Sequence, residues 1–244
     1  MKKLVTIGLS ALLVGCSSSQ DLQSLVESAG QVLSSTGSTG LSNEEVINGL
    51  KQALEVGTRR AVEVTGTEGG FWDNASIRIP FPEDAEQMKR TLNDIGLNKP
   101  VEDFERTMNE AAENAVKEAV PVFVDAIKGM SIEDGFAILR GGENAATLFL
   151  RERTGPALEQ RFRPIVENAT RSVALTSYWT PVANAYNTAS LLTGMKAVDP
   201  DLDAYVTGKA IDGLFLMLAD EEKKIRRDPV ARTTELLQRV FGSL

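Results

Sequence analysis

Residues 101–128 read VEDFERTMNEAAENAVKEAVPVFVDAIK, and the spacing of the apolar residues in this stretch decides the fold class. Val101, Phe104, Met108, Ala111, Ala112, Ala115, Ala119, Phe123, Ala126 and Ile127 recur three or four apart, with charges on the opposite side. That is the period of a helix with one buried stripe. Pro121 cannot donate a backbone N–H and is expected to kink this helix.

The same rhythm continues on both sides. Upstream, Ser42-Asn43-Glu44-Glu45 forms a capping box, and Val46, Leu50, Ala53, Leu54, Gly57 and Ala61 supply the buried face of the helix that follows. A helix from Pro82 or Glu83 to about Ile95 stops at Gly96. Downstream, Ser131 and Asp134 cap a helix that Gly141-Gly142 ends. Separate helices are expected over 144–153, 156–172 and 180–192. Residues 199–227 are mostly helical, with Ala210, Ile211, Leu214, Phe215 and Leu218 inward. Asp228-Pro229 opens a last helix burying Val230, Leu236, Leu237, Val240 and Phe241. The expectation is an all-α, single-domain, multi-helix bundle. Its one irregular part is the Gly/Pro-rich stretch 66–82, where alternation around Arg78 allows one short strand. Pro80 and Pro82 limit that strand to an edge or an extended loop.

Residues 1–16 have a different character. Met1-Lys2-Lys3 precedes an apolar run from Leu4 to Val14, and Leu13-Val14-Gly15-Cys16 closes it. The run is too short to span a bilayer, which takes about 20 apolar residues. It has the layout of a secretory signal, and its last four residues resemble the lipobox of bacterial lipoproteins. That resemblance implies cleavage before Cys16, a diacylglycerol on its thiol and an acylated amino group. Ser17 rather than Asp after the cysteine implies the outer membrane, facing the periplasm. Cys16 is the sole cysteine, so lipidation also accounts for an odd thiol in an exported chain. The expected layout is a signal over 1–15, a lipidated Cys16 with a Ser/Thr/Gly-rich tether over 16–40, and a helical body over 41–244. Within the tether, Leu22, Leu25, Val26, Ala29, Val32 and Leu33 form one short apolar stripe. It either folds back on the body or docks a partner.

Charge and residue types exclude much of the chemistry. The chain carries net charge −8, and loss of Lys2 and Lys3 with the signal leaves 24 basic against 34 acidic residues, or −10. Nucleic acid and anionic headgroups as main partners are disfavoured, since both want a basic patch. There is no histidine, so Ser-His-Asp and Cys-His catalysis are impossible. With Cys16 acylated, thiolate chemistry and Cys/His zinc sites go too. No catalytic residue, metal or cofactor is assigned.

The remaining candidates are few. Asn109 and Glu113 lie four apart on one helical face, with Glu110 beside them. With Asp134, these carboxylates are the ones an acid/base enzyme would use; a solvated face making helix–helix hydrogen bonds is the simpler reading. Phe71 and Trp72 in the Gly-rich loop, and Tyr178, Trp179 and Tyr186 around Pro181, either close over an apolar ligand or pin loops to the core. Arg151, Arg153, Arg161, Arg163 and Arg171 concentrate positive charge that either binds an anion or pairs with Glu152, Glu159 and Glu167. Asp199-Pro200-Asp201-Leu202-Asp203 opens like a calcium loop but lacks its later Gly and Glu, which favours a helix cap.

Several stretches together resemble an uncharacterised family of mostly proteobacterial proteins, the domain of unknown function numbered four-one-nine-seven. They are Gly49-Leu50-Lys51-Gln52-Ala53-Leu54, Ile77-Arg78-Ile79-Pro80, Asn109-Glu110-Ala111-Ala112-Glu113 and Asp125-Ala126-Ile127. Further along come Ala137-Ile138-Leu139-Arg140-Gly141-Gly142, Ala145-Ala146-Thr147, Lys209-Ala210-Ile211-Asp212-Gly213-Leu214-Phe215 and Ile225-Arg226-Arg227-Asp228-Pro229. The resemblance covers about residues 41 to 242 and implies an all-helical envelope protein, often lipidated, with no assigned activity. The functional expectation is a non-enzymatic binding or scaffolding lipoprotein, tethered to the membrane by its lipid, that engages an envelope protein partner. The alternatives are a carrier of a small apolar ligand and a hydrolase-type enzyme built on carboxylates.

Overall fold

The computed structural model describes residues 42–171, 179, 183, 184, 187, 188, 191 and 197–227. The readings of the signal, Leu13, Val14, Gly15, Cys16, the tether, Tyr178, Tyr186 and the helix after Pro229 lie outside the described residues. So does most of 180–192, of which positions 183, 184, 187, 188 and 191 are helical.

Apart from isolated helical positions within 179–191, the described residues form seven α-helices and no strand: α1 (Asn43–Gly66), α2 (Glu86–Asp94), α3 (Asn98–Val116), α4 (Ala119–Lys128), α5 (Ile132–Arg140), α6 (Ala145–Thr170) and α7 (Leu202–Arg227), with a 3₁₀ turn at Glu83–Ala85 before α2. The all-α expectation holds. Among the described residues, no helix is long and apolar enough to cross a membrane.

Local signals set several helix ends. Ser42 and Glu45 cap α1 reciprocally, as Ser131 and Asp134 cap α5. At the end of α2, Gly96 takes φ 87° while its N–H and that of Leu97 bond back to Asn93 and Leu92. This left-handed closure leaves orphan carbonyls satisfied and favours glycine. In α1 the inward set is as expected, except that Val46 is half-buried and Ile47 takes the core position.

Two boundaries differ from the sequence reading. Residues 101–128 are not one kinked helix: the chain breaks at Lys117-Glu118 into α3 and α4. Pro121 is then the third residue of α4, within the first turn, where its missing N–H has no intrahelical partner to lose. Conversely, 144–153 and 156–172 are not separate. α6 runs unbroken through Pro156 and Pro164. Both prolines are exposed, as are Glu152 and Gln160, so the carbonyls they release face water. Apart from Thr147, the buried positions of α6 fall every fourth residue from Ala146 to Thr170. Each step of four overshoots a full turn by about 40°, so the stripe winds roughly 240° around the helix. A search for one straight face sees two short helices instead.

α7 packs on α1, α3 and α6, and α6 also meets α3 and α4. Phe104, Phe123, Phe162 and Phe215 are fully buried, with Phe123 and Phe215 edge to face at 5.7 Å. α6 and α7 run antiparallel, since Thr147 bonds Glu222, Arg151 pairs with Asp212 and Arg163 with Asp201.

Candidate functional site

The stretch 66–82 forms no strand; after Gly66, the last residue of α1, it is a series of turns to Ile77 and an irregular segment to Pro82, held by side chains of α3. Glu105, Asn109 and Glu113 stand at successive fourth positions on one face. Glu113 Oε1 accepts from the Phe71 and Trp72 N–H groups at 3.0 and 3.2 Å. Asn109 accepts from the Ile79 N–H at 2.8 Å and donates back to the Ile79 carbonyl at 2.9 Å. It thereby does for Ile79 what a neighbouring strand would do. Glu105 accepts from the Phe81 N–H at 3.1 Å and pairs with Lys89 at 2.7 Å. These bonds satisfy backbone donors beside the buried Phe71, Ile79 and Phe81, where an unmet donor is costly.

The aromatic candidates divide. Phe71 is fully buried, against Gly213 of α7, where an added Cβ would come within 2.6 Å of the ring. Trp72 is half-buried; the Arg78 guanidinium lies 3.6 Å from its ring centre and that of Arg106 4.7 Å. Trp179 is buried, stacks on Phe104 at 5.8 Å and donates to the Asp199 carbonyl. Phe71 and Trp179 thus pack into the core, while Trp72 lies half-buried against two guanidinium groups.

The acidic candidates do not converge. Glu113 is held by the loop, and Glu110 is exposed. Asp134 closes its capping box, where the Ser131 N–H and hydroxyl hold its carboxyl below the ordinary value. Asp201 accepts from the Ala204 N–H at the start of α7, as the cap reading requires, while Asp203 accepts instead from the Thr170 hydroxyl of α6. Four of the five arginines pair, mostly across helices. Arg151 meets Asp212, Arg153 meets Asp134 at 3.8 Å and Arg163 meets both Asp201 and Glu167, while Arg171 pairs with Glu167.

An open cleft of about 470 Å³ lies between the 76–80 segment, α6 and α7. Arg78, Arg151 and Lys209 line it against one carboxylate, Asp212, so its wall is net positive in a chain of net charge −8. Asp212 is taken by Arg151. Among the described residues, neither Arg78 nor Lys209 meets a carboxylate at ion-pair distance. Each lies instead over an aromatic ring, Trp72 and Tyr205. Leu148 and Leu216 also line the cleft and are 65% and 45% exposed. Lys209 further borders a smaller hollow of about 210 Å³ with Glu83, Asp84 and Asp199. A third hollow, between α1, α6 and α7, holds about 20 Å³, room for one water and not for a ligand. The cleft can hold an anion beside an apolar surface. It offers no nucleophile with an adjacent base.

Of the candidate site residues named from the sequence, only Arg151 lines this cleft. Arg78 and Lys209 went unnoticed as site residues because single cations on separate segments carry no spacing signal. Glu222 was also missed. It is buried in α7, accepts from the Ala146 and Thr147 N–H groups and the Thr147 hydroxyl, and pairs with Arg226 at 2.8 Å. Its one signal was an acid on the apolar stripe between Leu218 and Ile225.

A family model described as "Protein of unknown function (DUF4197)" matches residues 40–242. No curated protein and no solved structure matches the chain.

Proposed function

The chain belongs to the DUF4197 family, whose description gives no activity, and from that premise we propose a role based on its own residues: a non-enzymatic binding lipoprotein, held at the outer membrane by lipid on Cys16, that presents the Arg78–Arg151–Lys209 cleft to a component of the envelope. One observation carries this reading. Glu113, Asp134 and Glu222 are spent on architecture, whereas Arg78 and Lys209 line an open cleft without a carboxylate partner among the described residues. Glu113, Asp134 and Glu222 each accept backbone N–H groups, which ties their carboxylate oxygens to the fold. The carrier alternative draws no support from the hollow between α1, α6 and α7, which is too small for an acyl chain.

The anchor rests on the sequence of residues 1–17. More than one acyl chain makes membrane attachment stable. Fractionation of cells producing C16S tests it. The wild-type protein is expected in the membrane pellet and C16S in the soluble fraction after a high-salt wash. C16S that stays with the membrane refutes the lipid anchor.

A further inference from the structure

The cleft is cationic at one end and apolar at the other, and this polarity specifies a class of ligand. α6 and α7 are antiparallel, so moving from Leu148 to Arg151 on α6 and from Leu216 to Lys209 on α7 is movement in one direction. Leu148 and Leu216 mark one end, both exposed. Arg151, paired with Asp212, and Lys209 mark the other, and Arg78 lines the cleft from the 76–80 segment, whose Ile77 lies against Gly213 and whose Pro80 carbonyl accepts from Tyr205. Exposed leucines on facing helices within a concavity are surface that gains by being covered. Guanidinium and ammonium groups without carboxylate partners suit an oxyanion, which a guanidinium holds with paired hydrogen bonds.

We propose that this cleft binds a free single-chain amphiphile with an oxyanion head, carboxylate or phosphate. Arg78 and Lys209 hold the head, and the chain lies over Leu148 and Leu216. The proposal rests on the reading of the cleft as the binding site. A bilayer surface is the weaker occupant, because polybasic membrane docking uses clusters of about four to eight cations and this chain is acidic overall. A protein partner is also weaker. Stable protein interfaces cover about 800 Å² per side, whereas a concavity of about 470 Å³ lies in the range of small-molecule sites.

The test uses the full chain carrying C16S, which has no acyl group of its own to compete. Dodecanoate and dodecyl phosphate are titrated below their micelle concentrations, with calorimetry and tryptophan fluorescence as readouts. Trp72 reports on Arg78, which lies against its ring, and W179F removes the other tryptophan's signal. Saturation at one amphiphile per chain by either probe is expected, with dodecanol and inorganic phosphate at least tenfold weaker. R78Q with K209Q, and separately L216D, are expected to weaken binding at least tenfold while circular dichroism stays unchanged. Dodecanol binding as well as dodecanoate would overturn the proposal, as would variants that bind like the parent or binding seen only with anionic vesicles. A photo-reactive residue replacing Leu216 in cells separates the two levels of the argument. No amphiphile binding together with a protein crosslinked there removes the ligand class and leaves the cleft as a binding site. Neither binding nor crosslinking removes both.

Discussion

Replacing Asn109 is the sharpest test of the clamp between α3 and the 66–82 loop. Asn109 and Ile79 are both fully buried, and the amide meets both backbone groups of Ile79, at 2.8 and 2.9 Å. N109A strands one buried N–H and one buried C=O. Each costs about 1–3 kcal/mol when unmet, and water entering the vacated space recovers part of it, so a loss of about 2–4 kcal/mol is expected. In a chain of this length that lowers Tm by roughly 4–16 °C. N109D keeps the shape and refines the reasoning. Its ionised form still accepts from the Ile79 N–H but sets a negative charge against the Ile79 carbonyl; its protonated form can donate again. Burial and that carbonyl raise the new carboxyl's pKa in the folded state above the unfolded value of about 3.9. The stability of the protonated form is therefore fully present below about pH 4 and is lost as pH rises through the folded-state value. N109D should approach the parent near pH 4 and fall furthest behind it at pH 7, whereas the deficit of N109A should stay flat. E110A, at the exposed next position, should stay within about 0.5 kcal/mol. Urea unfolding followed by circular dichroism measures all three. N109A no worse than E110A, or an N109D deficit that does not grow with pH, would refute the clamp.

Three further outcomes follow from the packing. G213A drives a Cβ to within 2.6 Å of the buried Phe71 ring and should cost about 1–3 kcal/mol in urea unfolding, whereas G135A meets only the terminal methyl of Ile47, which can rotate aside, and should cost less. E222A removes the acceptor of the Ala146 and Thr147 N–H groups and breaks the buried pair with Arg226, so a loss of about 3–5 kcal/mol is expected in the same assay. Burial, aided by Glu83 and Glu105, pushes the Tyr205 hydroxyl up to about 12; ultraviolet titration should show it ionising there, and the parent should lose stability between about pH 10 and 12 in a way that Y205F does not.

The candidate site was less legible than the fold. Asn109 and Glu113 stood out in the sequence because they share a helical face, but their partners, Ile79, Phe71 and Trp72, lie 30 to 42 residues away. Spacing along α3 shows which side chains share a face and not what that face meets. A paired-acid reading and a loop clamp therefore look alike until the loop is placed. Glu105 completes the clamp at the next fourth position toward the start of α3, yet it sat among ordinary surface charges. The cleft was not visible at all, because Arg78, Arg151 and Lys209 come from three segments that only the packing of α6, α7 and the loop brings together.

What the sequence by itself determined are features whose interactions close within a turn or so of helix. The two capping boxes need a Ser and an acid three residues apart, and the stop at Gly96 needs one residue free to take a positive φ. The all-α class follows from the apolar period, which is a property of each segment alone. Only the tertiary structure decided where α3 ends, how α6 continues and what the polar face of α3 holds. The break at Lys117-Glu118 lets α4 bury Val122, Phe123 and Ile127 in its own direction. α6 survives two prolines because its buried stripe winds around them and leaves their released carbonyls in water. In each case the competing local states differ by only a few kcal/mol, and burial of apolar surface between distant segments is large enough to choose between them.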